Sequence, residues 1–302
     1  MPLPLPGNSI EIAYADQRAT VVEVGGGLRT YEVAGAPILD GYRADEMVTA
    51  ARGQPLIPWP NRLHGGRYTW DGQTHEVPLD EPGPGNALHG LCRFRGWEAA
   101  GHGASEVTMR LRLHASPAYP FALDLAVRYC LGPGGLTVQT SATNRGTTAA
   151  PYAQGAHPYL TVGEPLDRVL LTVPADTWLP TDGNQIPTGR EPVAGSAQDF
   201  RTPRLIGDQR IDHAFTDLRR DPDGRARLVL EGVDRAVELW VGEGYRYLEV
   251  FTGDTVPDVD RRRQGLGVEP MTAPPNAFVT GEDLLRLEPE QSVERTWGIA
   301  AR

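Results

Sequence analysis

The chain has 302 residues, 40% hydrophobic and 23% charged, with a net charge of −10 and a pI near 5.2. That length supports one large all-β domain or two average ones, the composition argues against disorder, and the charge disfavours nucleic acid and anionic lipid as partners. All 29 residues counted as Lys plus Arg are arginine, which excludes chemistry that needs a lysine: Schiff-base aldolases, pyridoxal-phosphate enzymes and P-loop NTPases.

The opening MPLPLPGNSIEIAY has neither a basic region nor a long apolar run, so no signal peptide is expected. Nothing approaches the ~18 consecutive apolar residues of a membrane span. Next comes PWPNRLHGGRYTWDGQTHEVP, with Asn61, Arg62 and a turn at Asp71-Gly72. EPGPGN reads as a rigid loop, and NALHGLCRFRGW carries His89. Period two then dominates. Val107, Met109, Leu111 and Leu113 alternate with polar residues, and Phe121, Leu123, Leu125, Val127, Tyr129 and Leu131 keep to one face while Asp124 and Arg128 fall on the other. Alternation of this kind marks half-buried strands.

GLTVQT follows a turn at Pro133 to Gly135; then come QGAHPYL with His157, RVLLTV, a turn at Asp182-Gly183 and RIDHAF with Asp212. The turn DPDG precedes RLVLEG, AVELWVG and YRYLEVFTG, and GVEPMTAPPNAF brings Glu269. No long helix-period segment and no linker stand out. The expectation is an all-β fold, a large antiparallel β-sandwich, in a single domain over residues 1–302. Cys92 and Cys130 show no metal-ligand spacing and read as reduced thiols of a cytoplasmic protein.

Catalytic residue types gather in five segments, each beside Gly or Pro and therefore expected at a strand end or in a loop. HxH, HExxH and CxxC are missing. A metal site from His89, His157 and His213 has no spacing behind it, so no metal is expected. The absence of GxSxG speaks against a nucleophilic serine. Asp212 and Glu269 could flank a sugar as a glycosidase pair. A carboxylate with a histidine suits another task, proton transfer between two oxygens near neutral pH. Glu, with an ordinary pKa near ~4.3, is ready as a base, and His, near ~6.5, as an acid. An ionised Glu269 or Asp212 nearby is expected to raise the His157 pKa.

Taken together the segments resemble the aldose 1-epimerase (mutarotase) family. PWPNRLHGGRY resembles its NR-x(5)-G-x-Y stretch, NALHG and AHPY its two histidine motifs, IDHAF its aspartate motif and VEP its late glutamate motif. VEPMTAPPNAF with the ending LEPEQSVERTWGI is similar to one bacterial branch. The resemblance implies a galactose mutarotase-like supersandwich that interconverts sugar anomers without a cofactor. By it, Glu269 is the general base on the anomeric hydroxyl and His157 the general acid on the ring oxygen. His89 hydrogen-bonds near that oxygen, Arg62 and Asp212 grip sugar hydroxyls, and Asn61 orients Arg62. The partner implied is a monosaccharide. Pro-Met-Thr-Ala-Pro-Pro after Glu269 departs from the better-known QxxPD pattern, which implies a different substrate-facing loop. Arg93 and Arg95 keep a phosphorylated or sulfonated hexose open, as does a carbohydrate-binding protein without turnover.

Arg93 and Arg95 otherwise read as a solvated face or an ion pair, and Trp59 and Trp97 as core. His213 is expected to point away from its neighbour's face. His64, His75, His102 and His114 read as surface residues, and Arg261 to Arg263 as an exposed loop.

Overall fold

Alternating side chains build the largest antiparallel sheet in the computed structural model, which describes residues 4–302. The first three residues of the stretch read for a leader lie outside it. Nine strands run in the order Glu98–His102, Glu106–Leu113, Leu123–Gly132, Gly135–Asn144, Ser292–Ala301, Ala236–Val241, Ala226–Glu231, Leu170–Thr172, Arg204–Leu205. In Leu123–Gly132 burial alternates as the sequence does, and Leu125 faces Ala142 while Tyr129 faces Val138. The other face is wet. There Asp124 accepts from Arg112 at 2.7 Å and from Arg145 at 2.9 Å.

The second sheet contains Glu191–Pro192, Ala175–Trp178, Asp212–Leu218, Tyr247–Phe251, Leu266–Met271, Gly155–Ala156 and Pro55–Leu56 in that order, with Tyr159–Leu160 also paired to Leu266–Met271. All six residues of Leu266–Met271 are buried. Both of its faces are covered, so it shows no alternation. One apolar core joins the sheets, with Leu125 and Val127 from the first and Phe215, Leu248 and Val268 from the second. This is the expected sandwich.

Two features lay outside the sequence reading. Ser9–Tyr14, Gln17–Val22, Leu28–Val33 and Ala36–Pro37 form a separate four-stranded sheet. It is tied to the rest where Tyr129 donates to the Gly26 carbonyl at 2.7 Å. At the end of TAPPNAF, Ala277–Thr280 makes a single helical turn. Among the described residues no helix is long and apolar enough to cross a membrane. Cys92 and Cys130 are unpaired.

Candidate active site

Asn61, Arg62, His89, His157, Asp212 and Glu269 all line one cavity of about 380 Å³, within the ~300–1,000 Å³ range of small-molecule sites. Five of them stand at strand ends or beside turns, as expected. Glu269 does not: it sits inside Leu266–Met271 and is only 3% exposed. A strand covered on both faces has no solvent side on which to put a charge.

His157 is held from several directions. The chain leaves the ladder for His157-Pro158, between Gly155 opposite Met271 and Tyr159 opposite Gly267. Its N–H donates to the Gln54 carbonyl at 3.1 Å, and its carbonyl accepts from Gly53 at 2.9 Å. The Tyr159 ring stacks on the imidazole, centroids 4.9 Å apart and 3° from parallel. Arg52 lies over the far face of that stack, 4.4 Å from the Tyr159 centroid, and pairs with Asp40 at 3.1 Å. Gly267 leaves room for the ring, since a Cβ there would come within 3.3 Å of His157 Cε1.

His89 follows the strand Asn86–Leu88 with φ at +61°. Asn61 and His89 lock together: His89 N–H donates to the Asn61 carbonyl at 2.8 Å, and Asn61 N–H donates to His89 Nδ1 at 3.1 Å. Gly90 must remain glycine, because its φ is +74° and a Cβ would fall 2.1 Å from the Ile57 carbonyl oxygen. Arg62 gives Nε and Nη2 to Glu81 at 3.0 and 3.2 Å, and Nη2 lies 4.0 Å from Asp212. Asp212 also accepts from Gln185 at 3.1 Å. The Asn61 side chain accepts from the Arg62 N–H at 2.9 Å and donates to the Glu269 carboxyl.

The central contact joins His157 Nε2 to Glu269 Oε1 at 3.2 Å, with His89 Nδ1 3.8 Å from Glu269 Oε2. Burial pushes the Glu269 carboxyl up to about 8, and Asp212 adds to this against Arg62. Burial also drives His157 down to about 3, aided by Arg52 and Arg93. This corrects the expectation that nearby carboxylates raise it, because desolvation and the guanidinium groups of Arg52, Arg93 and Arg62 push the other way. His89 is held well below the usual imidazole range, chiefly by burial and then by His157. Between about pH 3 and 8 the Glu269–His157 pair therefore carries one proton, which rests on the carboxyl.

His89, His157 and Glu269 offer ligand atoms within 4.8 Å of one another. His89 Nδ1, however, already accepts the Asn61 N–H, so its lone pair is taken. His213 stands apart against Trp178, centroids 4.9 Å away. Trp59 and Trp97 are each 2% exposed and belong to the core.

Several neighbours escaped the sequence reading. Glu81 holds Arg62, and Tyr159 lay unnoticed inside AHPY. Arg93, half-buried, pairs with the exposed Asp80 and also lines the cavity. Arg95 is exposed. Glu249, directly opposite Glu269 in the ladder, is 3% exposed. The signal for it was present: alternation in YRYLEVFTG puts a carboxylate on the face of Tyr247 and Phe251. His64, His102 and His114 are exposed, but His75 is half-buried against Tyr68, centroids 5.0 Å apart. Arg261 and Arg263 are likewise half-buried, paired with Asp40 and with Asp254 at 2.5 and 3.0 Å. A larger cavity of about 840 Å³, lined by Arg220, Arg246, Asp283 and Arg295, has no comparable acid–base pair.

Residues 9–299 match the family model described as aldose 1-epimerase. The uncharacterized protein YihR of Escherichia coli (strain K12) is 34% identical over 284 residues, covering 93% of this chain and 89% of its own length. The aldose 1-epimerase of the same bacterium is 30% identical over 221 residues, 66% of this chain and 60% of its own. Among solved structures, galactose 1-epimerase from Lactobacillus acidophilus NCFM superposes with a TM-score of 0.83 at 20% identity, covering 97% and 94% of the two chains. The GalM/aldose epimerase homologue from C. elegans reaches 0.86 at 18% identity, covering 98% of each. These structural likenesses speak for the fold.

Proposed function

The chain belongs to the aldose 1-epimerase family, and from that premise we propose that it interconverts the α and β anomers of a hexose, as one cytoplasmic domain. The observation that carries this reading is the 3.2 Å contact between His157 and Glu269 on the wall of a cavity of sugar-binding size.

Ring opening needs two protons moved between oxygens. Glu269 takes the proton from O1 as the C1=O bond forms. The C1–O5 bond breaks, and O5 receives a proton from His157. Rotation about C1–C2 presents the other carbonyl face, and the same two groups run the steps in reverse. Each positioned acid or base is typically worth ~10²–10⁴-fold. The scheme uses no cofactor.

The cycle starts from ionised Glu269 and protonated His157, whereas the free site holds the proton on Glu269. Sugar hydroxyls donating to Glu269 favour its ionised form. The proton then has a direct path across 3.2 Å to His157 Nε2. The pair stays neutral overall in both forms, so a buried site bears no net charge change during turnover. His89 serves the ring-oxygen side, and Arg62 and Asp212 hold hydroxyls while Asn61 braces Arg62 and Glu269.

Arg93 favours a second reading, a hexose bearing an anionic group, because it lines the same cavity. Asp80 already matches its charge, so the neutral hexose comes first.

Polarimetry of freshly dissolved α-D-glucose or α-D-galactose tests the proposal. Wild type is expected to speed the approach to equilibrium and Glu269→Gln is not. Binding of these sugars without acceleration, and no exchange of a hexose 6-phosphate by NMR, overturns it in favour of a binding protein.

A further inference from the structure

Three carboxyl groups stand on one face of three neighbouring strands. Glu249 is the ladder partner of both Ala214 and Glu269, which puts its side chain on their face. Asp212 shares that face two residues from Ala214, diagonal to Glu249. Asp212 and Glu269 line the cavity; Glu249 lies beneath it, outside the lining. Arg62 is the guanidinium that faces all three, and Glu81 already takes its Nε edge. Arg93 also reaches Glu269, but Asp80 matches it.

Three anions cannot be held here at once. Burying an uncompensated carboxylate is costly, and a group so placed keeps its proton. The partners decide which one does. Asp212 receives Gln185 at 3.1 Å and has Arg62 at 4.0 Å, both of which favour its ionised form. Glu269 can exchange its proton with His157. Glu249 faces no basic residue except Arg62, and its Oε2 has no hydrogen-bond partner among the described residues. Its carboxyl is hydrogen-bonded to that of Asp212. Two carboxyl groups in such contact share a proton.

We propose that Glu249 is a positioning residue for the reaction, a permanently protonated acid that donates its proton to Asp212 and fixes that carboxylate toward the sugar. It touches neither the cavity nor the reacting atoms. Its neutrality also leaves Asp212 as the only fixed anion of the trio beside Glu269, so the mobile proton remains with the Glu269–His157 pair. The charged and titratable groups around it are Asp212, Glu269 and Arg62. Desolvation, followed by Asp212 and Glu269, pushes its acidity in the same direction. The kinetic part of this inference rests on the mutarotase reading; the protonation state does not.

Two variants and one spectrum test it. Glu249→Leu removes the donor, and KM for the sugar is expected to rise about tenfold or more. Glu249→Gln, which can donate from its amide, is expected to recover most of that loss, a rescue that mere space filling would not give. Infrared difference spectra of wild type against Glu249→Gln at pH 7 are expected to show the C=O band of a protonated carboxyl group lost in the variant. An ionised-carboxylate band in its place overturns the proposal, as does a glutamine variant no better than leucine. The spectrum reads out even if no sugar is turned over, so failure of the mutarotase reading remains distinguishable.

Discussion

The two sheets handle charge in opposite ways. On the nine-stranded sheet carboxylates and guanidinium groups alternate with core residues and meet on the wet face, as in Arg112–Asp124–Arg145 and Arg128–Glu106. Each charge keeps much of its hydration and finds a partner nearby. On the second sheet Asp212, Glu249 and Glu269 turn inward from strands with little or no solvent face. There burial dominates, and the same side-chain chemistry gives a carboxyl group titrating near 8. One sheet is scaffold, and the other holds acids out of water where they can trade protons.

Substitutions on the two sheets should therefore diverge. The largest effect is expected from Glu269→Gln, a loss of about 10²–10⁴-fold in kcat for anomer exchange, with an unchanged circular dichroism spectrum. The same variant should respond to pH in stability. Wild-type Glu269 is raised in the folded state, so the stability its protonated form contributes is complete below its ordinary value near 4.5 and is lost as pH rises through about 8. Glutamine has no such loss. The Tm of Glu269→Gln minus that of wild type should grow by roughly 3–8 °C between pH 5 and pH 9, read by thermal melts.

Smaller is Tyr159→Leu, which removes the ring stacked on His157 but leaves the acid itself. A loss of about tenfold in kcat is expected, with KM little changed, in keeping with ~0.5–1.5 kcal/mol for such a pair. Asp124→Asn, on the wet face of the scaffold sheet, should leave kcat/KM as it is and move Tm by no more than about 2 °C. A large effect there would erase the contrast between the sheets.

The scaffold sheet was the legible one. Alternation from Phe121 to Leu131 maps onto alternating burial because one face meets water and the other the core. Leu266–Met271 carried no such signal, since a strand covered on both faces has no polar side to reveal it. The VEP motif places Glu269 in the chain but not inside a strand. Asn61, Arg62, His89, His157, Asp212 and Glu269 could be picked out one by one because they stand in short motifs, and they surround one cavity. Their supports could not. Glu81 reaches Arg62 across 19 residues, Arg52 reaches Tyr159 through packing alone, and Glu249 meets Glu269 only through strand register. The titration order of Glu269 and His157 was also hidden, because it depends on burial and on Arg52 and Arg93.

The pH profile of kcat/KM for anomer exchange tests the central claim, that Glu269 and His157 share one mobile proton in a dry site. The pair predicts a plateau through neutrality and a fall as pH rises through about 8, where its last proton leaves, with no limb between pH 5 and 7. Limbs at the ordinary values of an isolated carboxylate and imidazole, near ~4.3 and ~6.5, would contradict it, because they would mean two solvated groups acting independently.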